Sequence, residues 1–563
     1  MGRKRTGDGA YYSALVSIES TGAGPGPPDP PMAAPASAPR RRLALSTAIF
    51  ALATALSRIA GLGREIVQAS FFGTSAAGSA FTVASQIPNL FSNLFSQAAL
   101  SAAFVPVFTD LLQQGRKREA FKLASELFWL ILVVLGALTL VYMAVAGLIM
   151  PLFTGTTFSA ETTVLTAGLS RVLFPVVLLL SLTGLLVGIL QSYDEFSVAA
   201  LAPAVWNIVI VILLVGLHGR FKGQDAVYAY AIAWLVATVV QFLMIVAALR
   251  KVEFRFSFTL NWRDPRIRQV LILFLPVTMS IGIINLDVFL NADLGTLVSY
   301  HAPIAINDAF RIYMLPQGVF SVAVATVLFP TLTRLATARD SGGMRRTLGN
   351  GIRQIALLLI PSAALLAVLA TPITRLLYQH GSFHADSTAR VSTALFWFAF
   401  SLPFAGVNLL LSRTFFALQR PWIPTKLAAM NMVVDVIVSV ALYKPLGIAG
   451  LVIGTVAANI VMAGLQLHRL RVGFNGRLEG AQTMMITVRI LVATAITGAV
   501  GYLLWKGLDS VLGLSLIAQI VSVGVALAAA GLLYARLALT MRIPEARQIE
   551  TLILSRVRGR VAS

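Results

Sequence analysis

The sequence predicts an all-α polytopic membrane protein with about 14 transmembrane helices, arranged as two six-helix bundles plus two C-terminal helices. Three observations lead to this prediction. First, 57% of the 563 residues are hydrophobic and only 12% are charged. Second, the mean hydropathy is +0.82. Third, the chain repeats itself at an offset of 224 residues. A water-soluble fold cannot bury so much apolar surface, so the composition excludes a soluble enzyme.

The N-terminal segment differs from the rest of the chain. Gly, Pro, Ala and Ser dominate between Thr21 and Pro39. Such a segment cannot bury enough apolar area to offset the entropy lost on ordering. We therefore predict a disordered basic cytoplasmic tail over residues 1–42, and a second cytoplasmic tail over residues 541–563.

Stretches of about 20 mostly apolar residues are candidate membrane spans. Pro88, Pro175, Pro316 and Pro403 lie inside such stretches and should kink them. The predicted spans, numbered one to fourteen in chain order, are residues 43–70, 77–109, 121–153, 162–191, 198–217, 226–249, 267–292, 303–333, 349–376, 388–416, 424–443, 446–468, 486–507 and 514–540.

Lys and Arg concentrate in alternate connections between these spans. The chain has 44 Lys and Arg against 23 Asp and Glu, a net charge of +21. In a soluble protein this charge would raise the question of nucleic acid. Here the basic residues lie in short loops, where they set the orientation of the spans, and no nucleic-acid partner is expected. The alternation predicts a multi-pass protein with both termini in the cytoplasm.

The two halves of the chain share landmarks at one offset. Pro106 matches Pro330, and Asn207 matches Asn431. Paired bundles with a site between them are typical of transporters that work by alternating access. The predicted units are an N-terminal bundle over 43–250, a C-terminal bundle over 267–470 and two extra helices over 486–540.

Among the arginines that fall within predicted spans, four are candidates for a site, because an ionisable group is costly at bilayer depth. They are Arg58 and Arg64 in span one, Arg171 in span four and Arg311 in span eight. We predict a cavity that receives an anion such as a phosphate group, because the guanidinium fork forms paired bonds to phosphate oxygens. Two alternatives stay open. Arg171 is close enough to a helix end to reach the interface, and Arg58 and Arg64 can form a structural pair with Glu65.

A second cluster of polar residues is acidic. Asp287 lies in span seven, Asn431 and Asp435 share one face of span eleven, and Thr455 lies in span twelve. Carboxylate, amide and hydroxyl oxygens suit a small cation such as Na⁺. The alternatives are that these side chains never meet, or that Asp287 is protonated and bonded to a neighbour.

The stretch from Ser57 to Leu112 contains SRIAGLGREIVQASFFG, SAFTVASQIPNLF and ALSAAFVPVFTDLL. It resembles the N-terminal signature of the MurJ/MviN family, the bacterial lipid II flippases of the multidrug/oligosaccharidyl-lipid/polysaccharide exporter superfamily. The later stretches LPQGVFSVAVATVLFPTLT, LLYQHGSF and ALQRPWIPTK agree with it. The resemblance extends over residues 43–540.

The resemblance implies a V-shaped fold whose last two helices form a lipid-binding groove. It implies a transporter rather than an enzyme, which carries the peptidoglycan precursor lipid II from the inner to the outer leaflet of the bacterial cytoplasmic membrane by alternating access. The implied partners are lipid II or a related polyprenyl-pyrophosphate glycan and membrane lipid. Separately from the resemblance, the Arg run of the N-terminal tail leaves recruitment of the cell-wall synthesis machinery open.

The resemblance also implies site residues. The family's substrate-binding residues fall on Ser57, Arg58, Arg64 and Arg311. Some members bind sodium, and that pattern falls on Asp287, Asn431, Asp435, the carbonyl of Leu451 and Thr455. No cofactor other than this Na⁺ is expected.

Several positions depart from the family's pattern, because residues that are often charged there are neutral here. They are Ser79, Ser92, Asn93, Gln97 and Met314. Two functions therefore stay open. One is a lipid II flippase, and the other is an exporter of another polyprenyl-linked glycan or a cation-coupled small-molecule exporter of the same fold.

Overall fold

The computed structural model describes residues 39–94, 97–193, 195, 197–258, 264–474, 479–548 and 550–551. Within these helices the side chains of residues 39–52, 54–55, 93–94, 97–103, 273, 275–285 and 287–289 lie outside the description. Most of the predicted tails, including residues 1–38 and 552–563, lie outside the described residues. Every regular element that is described is a helix, which confirms the all-α fold class.

The helices follow one another with short connections. Those of the first half are α1 (Pro39–Phe72), α2 (Ala76–Leu94), α3 (Gln97–Gln113), α4 (Lys117–Ile149), α5 (Ala160–Leu173), α6 (Pro175–Ser192), α7 (Ser197–Leu217) and α8 (Tyr228–Ala248). Those of the second half are α9 (Pro265–Val298), α10 (Ala302–Pro316), α11 (Val322–Thr337), α12 (Ser341–Val368), α13 (Ala370–Tyr378), α14 (Ala385–Ala417), α15 (Trp422–Leu446) and α16 (Ile448–Gly473). The C-terminal helices are α17 (Gly480–Leu512) and α18 (Leu516–Thr540).

Within the described residues, 11 helical segments are long and apolar enough to cross a membrane. Large apolar side chains on their outer faces are exposed, such as Leu140 at 71% and Leu148 at 78%. Acyl chains are the solvent that suits such faces. Three other predicted spans coincide with α1, with α2 and α3, and with α9, and the total of fourteen stays a prediction.

Prolines divide several predicted spans. Pro175 is the first residue of α6 and separates it from α5, and Pro316 is followed by a π-helical turn over Gln317–Ser321 that leads into α11. Pro88 and Pro403 instead lie inside the continuous helices α2 and α14. The span predicted over 349–376 is also divided.

That division lies between α12 and α13, where Leu369 leaves helical geometry. Pro372 explains it, because a proline ring clashes with the carbonyl of the residue four positions earlier, here Val368. Pro372 was not among the prolines predicted to kink a span.

The order of helix packing repeats in the two halves. In the first half α1 packs on α7, α7 packs on α8, and the pair α2 and α3 packs on α5 and α6. In the second half α9 packs on α15, α15 packs on α16, and the pair α10 and α11 packs on α14. Matching helix pairs are the arrangement that a duplicated six-helix unit requires. The boundaries 43–250, 267–470 and 486–540 stay predictions.

At both ends of the chain, helical or packed structure extends into the residues that were predicted to be tails. Helix α1 begins at Pro39, within the predicted tail, and proline suits the first turn of a helix. After α18, Ile543 and Glu545 are buried. Ile543 packs with Leu357 and Ile486, so residues 543–545 are docked on α12 and α17.

Candidate functional site

Arg64 lies in a buried ion pair. Its guanidinium donates a hydrogen bond to the adjacent Glu65, and its side chain is 8% exposed. The same guanidinium lies 5.0 Å from the ring centroid of Trp206 and 5.4 Å from that of Trp234, both in the first half. Aromatic faces stabilise a cation at such distances. Arg64 and Glu65 therefore form the structural ion pair that was one of the alternatives from the sequence. A contact of Arg64 with substrate stays a prediction.

Glu65 also connects the two halves of the chain. Its carboxylate lies 3.5 Å from Nε of Arg311 on α10. One carboxylate is thus shared between two guanidinium groups. The Arg311 side chain is 41% exposed, which leaves it accessible to a second anion.

Arg58 reaches the second half at the π-helical turn. A methyl group placed on Gly318 would lie 3.0 Å from Nη1 of Arg58, so the guanidinium packs directly against this backbone. Arg58 is exposed, whereas Ser57 is half-buried. Arg58 and Arg311 therefore both lie where span one faces span eight.

Arg171 does not join the other three arginines. It is exposed, and its Nε donates a hydrogen bond to the carbonyl of Met143 at 3.0 Å. The structure thus joins Arg64 and Arg311 through Glu65, places Arg58 against Gly318 of the second half, and leaves Arg171 on the surface of the first half.

A cavity of about 480 Å³ lies beside α10. Helices α2, α9, α10, α14, α15 and α16 contribute to its walls. Its polar residues are mostly carboxamides, among them Gln86, Asn291, Asn307, Gln317, Asn408 and Asn459. Its aromatic residues are Phe310, Tyr313, Phe398 and Phe416. Among the described residues, the lining of this cavity includes no Asp, Glu, Lys, Arg or His.

The predicted cation site is partly assembled at one wall of this cavity. Thr455 donates a hydrogen bond to Asp435 at 3.2 Å, and the Asp435 side chain is buried. Ser439 donates to the same carboxylate at 3.0 Å and lies 3.2 Å from the carbonyl oxygen of Leu451. Three of the predicted ligands, Asp435, Leu451 and Thr455, are therefore adjacent.

The other two predicted ligands have different outcomes. Asn431 lines the same cavity, and its Oδ1 accepts no hydrogen bond from the described residues. Asp287 belongs to α9, but its side chain lies outside the described residues. Asn291, one turn after Asp287, donates a hydrogen bond to Asp435 at 2.8 Å.

Ser439 and Asn291 belong to this site and were not among the predicted ligands. Ser439 follows Asp435 by four residues, and Asn291 follows Asp287 by four residues. Residues four apart lie on the same face of a helix, so this spacing was a signal available in the sequence.

A second contact joins the two halves at the end of the bundle predicted to be the outer one. Oγ1 of Thr74 lies 2.8 Å from Oγ of Ser387, and Arg390 donates to the same Oγ1 at 3.1 Å. The backbone N–H of Ser382 donates to the carbonyl of Ser70 at 2.7 Å. Side chains and backbone together close this end of the interface.

Two glycines allow the backbones to approach so closely. Gly73 and Gly381 have φ values of +51° and +59°, in the left-handed region that favours glycine. A methyl group on Gly73 would lie 2.6 Å from the carbonyl oxygen of Ser382.

A histidine lies at the same closed end. Nδ1 of His301 is in hydrogen-bond contact with the carbonyl of Thr74, and burial lowers the pKa of this imidazole below its ordinary value.

Solved structures share this fold. A structure described as "Lipid II flippase MurJ, inward closed conformation" has a TM-score of 0.73 and 23% sequence identity, covering 88% of this chain and 98% of that one. An inward-facing multidrug resistance MATE family transporter has a TM-score of 0.62 and 17% identity, covering 74% and 94% of the two chains. These similarities show the fold.

Sequence comparisons identify the family. The family model described as "Lipid II flippase MurJ" matches residues 68–543. The "Probable lipid II flippase MurJ" of Rhizobium meliloti (strain 1021) is 30% identical over 73% of this chain and 77% of its own length. The "Lipid II flippase MurJ" of Burkholderia cenocepacia is 31% identical over 71% and 78%. The resemblance seen in the sequence is confirmed, and this chain belongs to the MurJ family of lipid II flippases.

Proposed function

We propose that this chain is a lipid II flippase, which moves lipid II across the cytoplasmic membrane of a bacterium by alternating access. The observation that carries the proposal is the family match over residues 68–543. As a transporter of this kind, the chain changes the leaflet in which its cargo lies and makes or breaks no covalent bond.

The diphosphate of the cargo would bind between Arg58 and Arg311. Both side chains are accessible, and both lie where span one faces span eight. Arg311 lies 3.5 Å from Glu65, so an arriving diphosphate competes with an internal carboxylate for the guanidinium. A ligand shifts a conformational equilibrium only through different affinities for the two states. If the phosphate replaces the Glu65 carboxylate as the partner of Arg311 in one state only, the cargo binds the two states with different affinities.

The described state is closed at the end that carries Thr74 and Ser387. The alternation of basic loops supports an orientation with this end outside and both chain termini in the cytoplasm. Release of cargo to the outer leaflet would require the Thr74–Ser387 contact and the Ser70–Ser382 backbone bond to open.

Sodium at Asp435 would bias this equilibrium. Asp435 is buried beside Thr455 and the carbonyl of Leu451, which supply the oxygen donors that Na⁺ prefers. Asn431 and Thr455 also line the cavity, so the cation has a polar route to the site. Binding of Na⁺ to one state alone would couple cation occupancy to the position of the two halves.

A growth experiment tests the flippase proposal. Bacteria depleted of their own lipid II flippase would receive this chain or its Arg58→Ala/Arg311→Ala variant. We expect growth and lipid II exposure at the outer leaflet with the wild-type chain, and loss of both with the variant. Rescue by the variant would reject the proposed diphosphate site, and absence of rescue by a well-expressed wild-type chain would reject the function.

A second candidate function is export of another polyprenyl-linked glycan, or cation-coupled export of a small molecule. Neutral residues at positions often charged in the family favour it. Ser79 is fully buried, and Met314 lines the cavity. The same growth experiment separates the two, because an exporter of another cargo would not restore lipid II exposure. Recruitment of the cell-wall synthesis machinery by the tail over residues 1–42 stays a separate prediction.

A further inference from the structure

Asp308 is a buried carboxyl group that the proposed transport cycle does not use. It lies on α10, one helical turn before Arg311, and the residue is 1% exposed. Both of its carboxyl oxygens are buried, and neither accepts a hydrogen bond at standard geometry from the described residues. An ionised carboxylate at such a position would be a buried charge without a hydrogen-bond donor, which is strongly unfavourable. A bound proton removes this charge.

The groups that face Asp308 come from three helices. Glu65 on α1 and Arg311 on α10 act on it electrostatically, and the adjacent Asn307 is a polar neighbour. Tyr378 on α13 is buried against the same turn, and its hydroxyl donates to the backbone carbonyl of Asp308 at 3.5 Å. The surroundings of Asp308 therefore hold one carboxylate, one guanidinium and one phenol.

The other elements packed on α10 carry their charges elsewhere. The sequence of α2 and that of the π-helical turn contain no charged residue. On α14, Asp386 and Arg390 act on His301, which lies two turns before Asp308. On α9, Asp293 is half-buried, and the charged residues of α12 and α16 lie within 345–353 and 468–471. Within the described residues, the charges that act on Asp308 are thus those of Glu65 and Arg311.

An ionised Asp308 would compete with Glu65 for Arg311. Nε of Arg311 lies 3.5 Å from Glu65, and residues three apart on a helix are close enough to form an ion pair. Glu65 has Arg64 as a second partner, whereas Arg311 is the guanidinium that acts on Asp308. Loss of a proton from Asp308 would therefore draw Arg311 towards its own helix.

From this arrangement we propose that Asp308 is a proton-binding site that controls whether Arg311 is available to an anionic ligand. With the proton bound, the Arg311 side chain, which is 41% exposed, can contact the diphosphate of the cargo. Without the proton, the Asp308 carboxylate competes with the diphosphate for Arg311. Proton and diphosphate then raise each other's affinity by the same factor. This inference rests on the proposed function and deepens it, because it adds a second ligand that regulates the cargo site.

Binding of a diphosphate probe at different pH values tests the proposal. The purified full chain would be titrated with a polyprenyl diphosphate esterified to a neutral sugar, whose charge stays constant between pH 6 and pH 9. We expect the wild-type affinity to fall by about tenfold over this range, because one linked proton changes an affinity by at most about tenfold per pH unit. Asp308→Asn, which resembles the neutral acid, should change by less than about twofold and should bind at pH 9 as tightly as the wild type at pH 6.

A second measurement works on the wild-type chain alone. Calorimetric titrations in buffers of different ionisation enthalpy count the protons that are taken up when the probe binds. We expect net proton uptake at the pH where the affinity falls, and none in Asp308→Asn. The matched control is Asp110→Asn, at an exposed position, which should behave as the wild type in both measurements.

Failure of the proton site and failure of the proposed function give different results. Tight binding by the wild type without proton uptake, or the same pH dependence in the wild type and Asp308→Asn, would overturn the proton site and leave the diphosphate site intact. If Arg58→Ala/Arg311→Ala bound the probe as well as the wild type, the diphosphate site would fail, and the control by Asp308 would fail with it.

Discussion

The Thr74 hydroxyl lies 2.8 Å from the Ser387 hydroxyl, across 313 residues of sequence. Thr74 lies in the turn after α1, and Ser387 lies in the first turn of α14, so this contact joins the two halves of the chain. It involves short side chains without charge. A contact of this kind stabilises a closed end without requiring a large change in free energy to open it.

The first prediction concerns the pH dependence of this closed end. Burial lowers the pKa of His301 below its ordinary value of 6.5, in a site that also faces Arg390 and Asp386. A lowered pKa means that the closed state favours the neutral imidazole. The closed contact should be strongest above about pH 6.5 and weaken as the pH falls below it, by at most tenfold in population per pH unit.

Distances between spin labels measure this effect. The chain has no native Cys, so labels can be placed at Lys222→Cys and Ala385→Cys, one in each half. We expect longer distances at pH 5 than at pH 8. The His301→Gln variant cannot titrate here and serves as the control. Distances that lengthen equally in this variant would contradict the assignment to His301.

The second prediction concerns the cation. If Asp435 binds Na⁺, NaCl should raise the thermal unfolding midpoint relative to choline chloride at equal ionic strength. A ligand at 100 times its dissociation constant stabilises by about 2.7 kcal/mol. Asp435→Asn should abolish the difference between the salts and Thr455→Val should reduce it, whereas Thr333→Val, at an exposed position, should retain it. A sodium-dependent midpoint that persists in Asp435→Asn would exclude this site.

The third prediction separates a structural role for Arg64 from a role in binding. Replacement by Met would leave Glu65 buried with Arg311 as its remaining partner. Removing one partner of a buried ion pair typically costs about 3–5 kcal/mol. We therefore expect a clearly lower unfolding midpoint for Arg64→Met and a small change for the exposed Arg171→Met. A normal midpoint combined with lost diphosphate binding would instead assign Arg64 to the cargo.

The fourth prediction concerns the segment after α18. Arg353 donates hydrogen bonds to Glu479 at 2.8 Å and to Glu545, whose side chain is 1% exposed. Arg353→Met would leave Glu545 buried without its partner. Hydrogen exchange over residues 543–548 should accelerate by about 100-fold, as expected for a local loss of roughly 3 kcal/mol. Exchange at the wild-type rate would show that Ile543 and its apolar neighbours suffice to hold the segment.

Hydropathy and the repeat predicted the fold well because membrane spans depend mainly on length and apolar composition. The divisions within spans were harder to predict. Pro316 and Pro403 are both prolines inside apolar stretches, yet only Pro316 lies at a change of helix type. Packing against neighbouring helices decides whether a proline breaks or bends a helix, and the sequence alone does not contain that information.

The candidate site was likewise predictable in part from the sequence and in part only from the packed structure. Spacing along one helix placed Asn431 and Asp435 on the same face, residue type and the family resemblance added Thr455 from the next helix, and the side chains of Asp435 and Thr455 are in contact. Spacing did not predict that Arg64 would lie over Trp206 and Trp234, because those rings come from helices far away in the chain. Contacts between distant helices require the packed structure.

Passage of lipid II between the two halves of this chain requires the interface to open where Thr74 meets Ser387. A Thr74→Cys/Ser387→Cys variant tests it directly, because the two hydroxyls are close enough for the substituted thiols to form a disulfide. The purified variant would be placed in vesicles, and lipid II exposure to an external probe would be followed before and after reduction. We predict no exposure in the oxidised sample and exposure at the wild-type rate once the disulfide is reduced. Equal exposure in the oxidised and reduced samples would contradict the account.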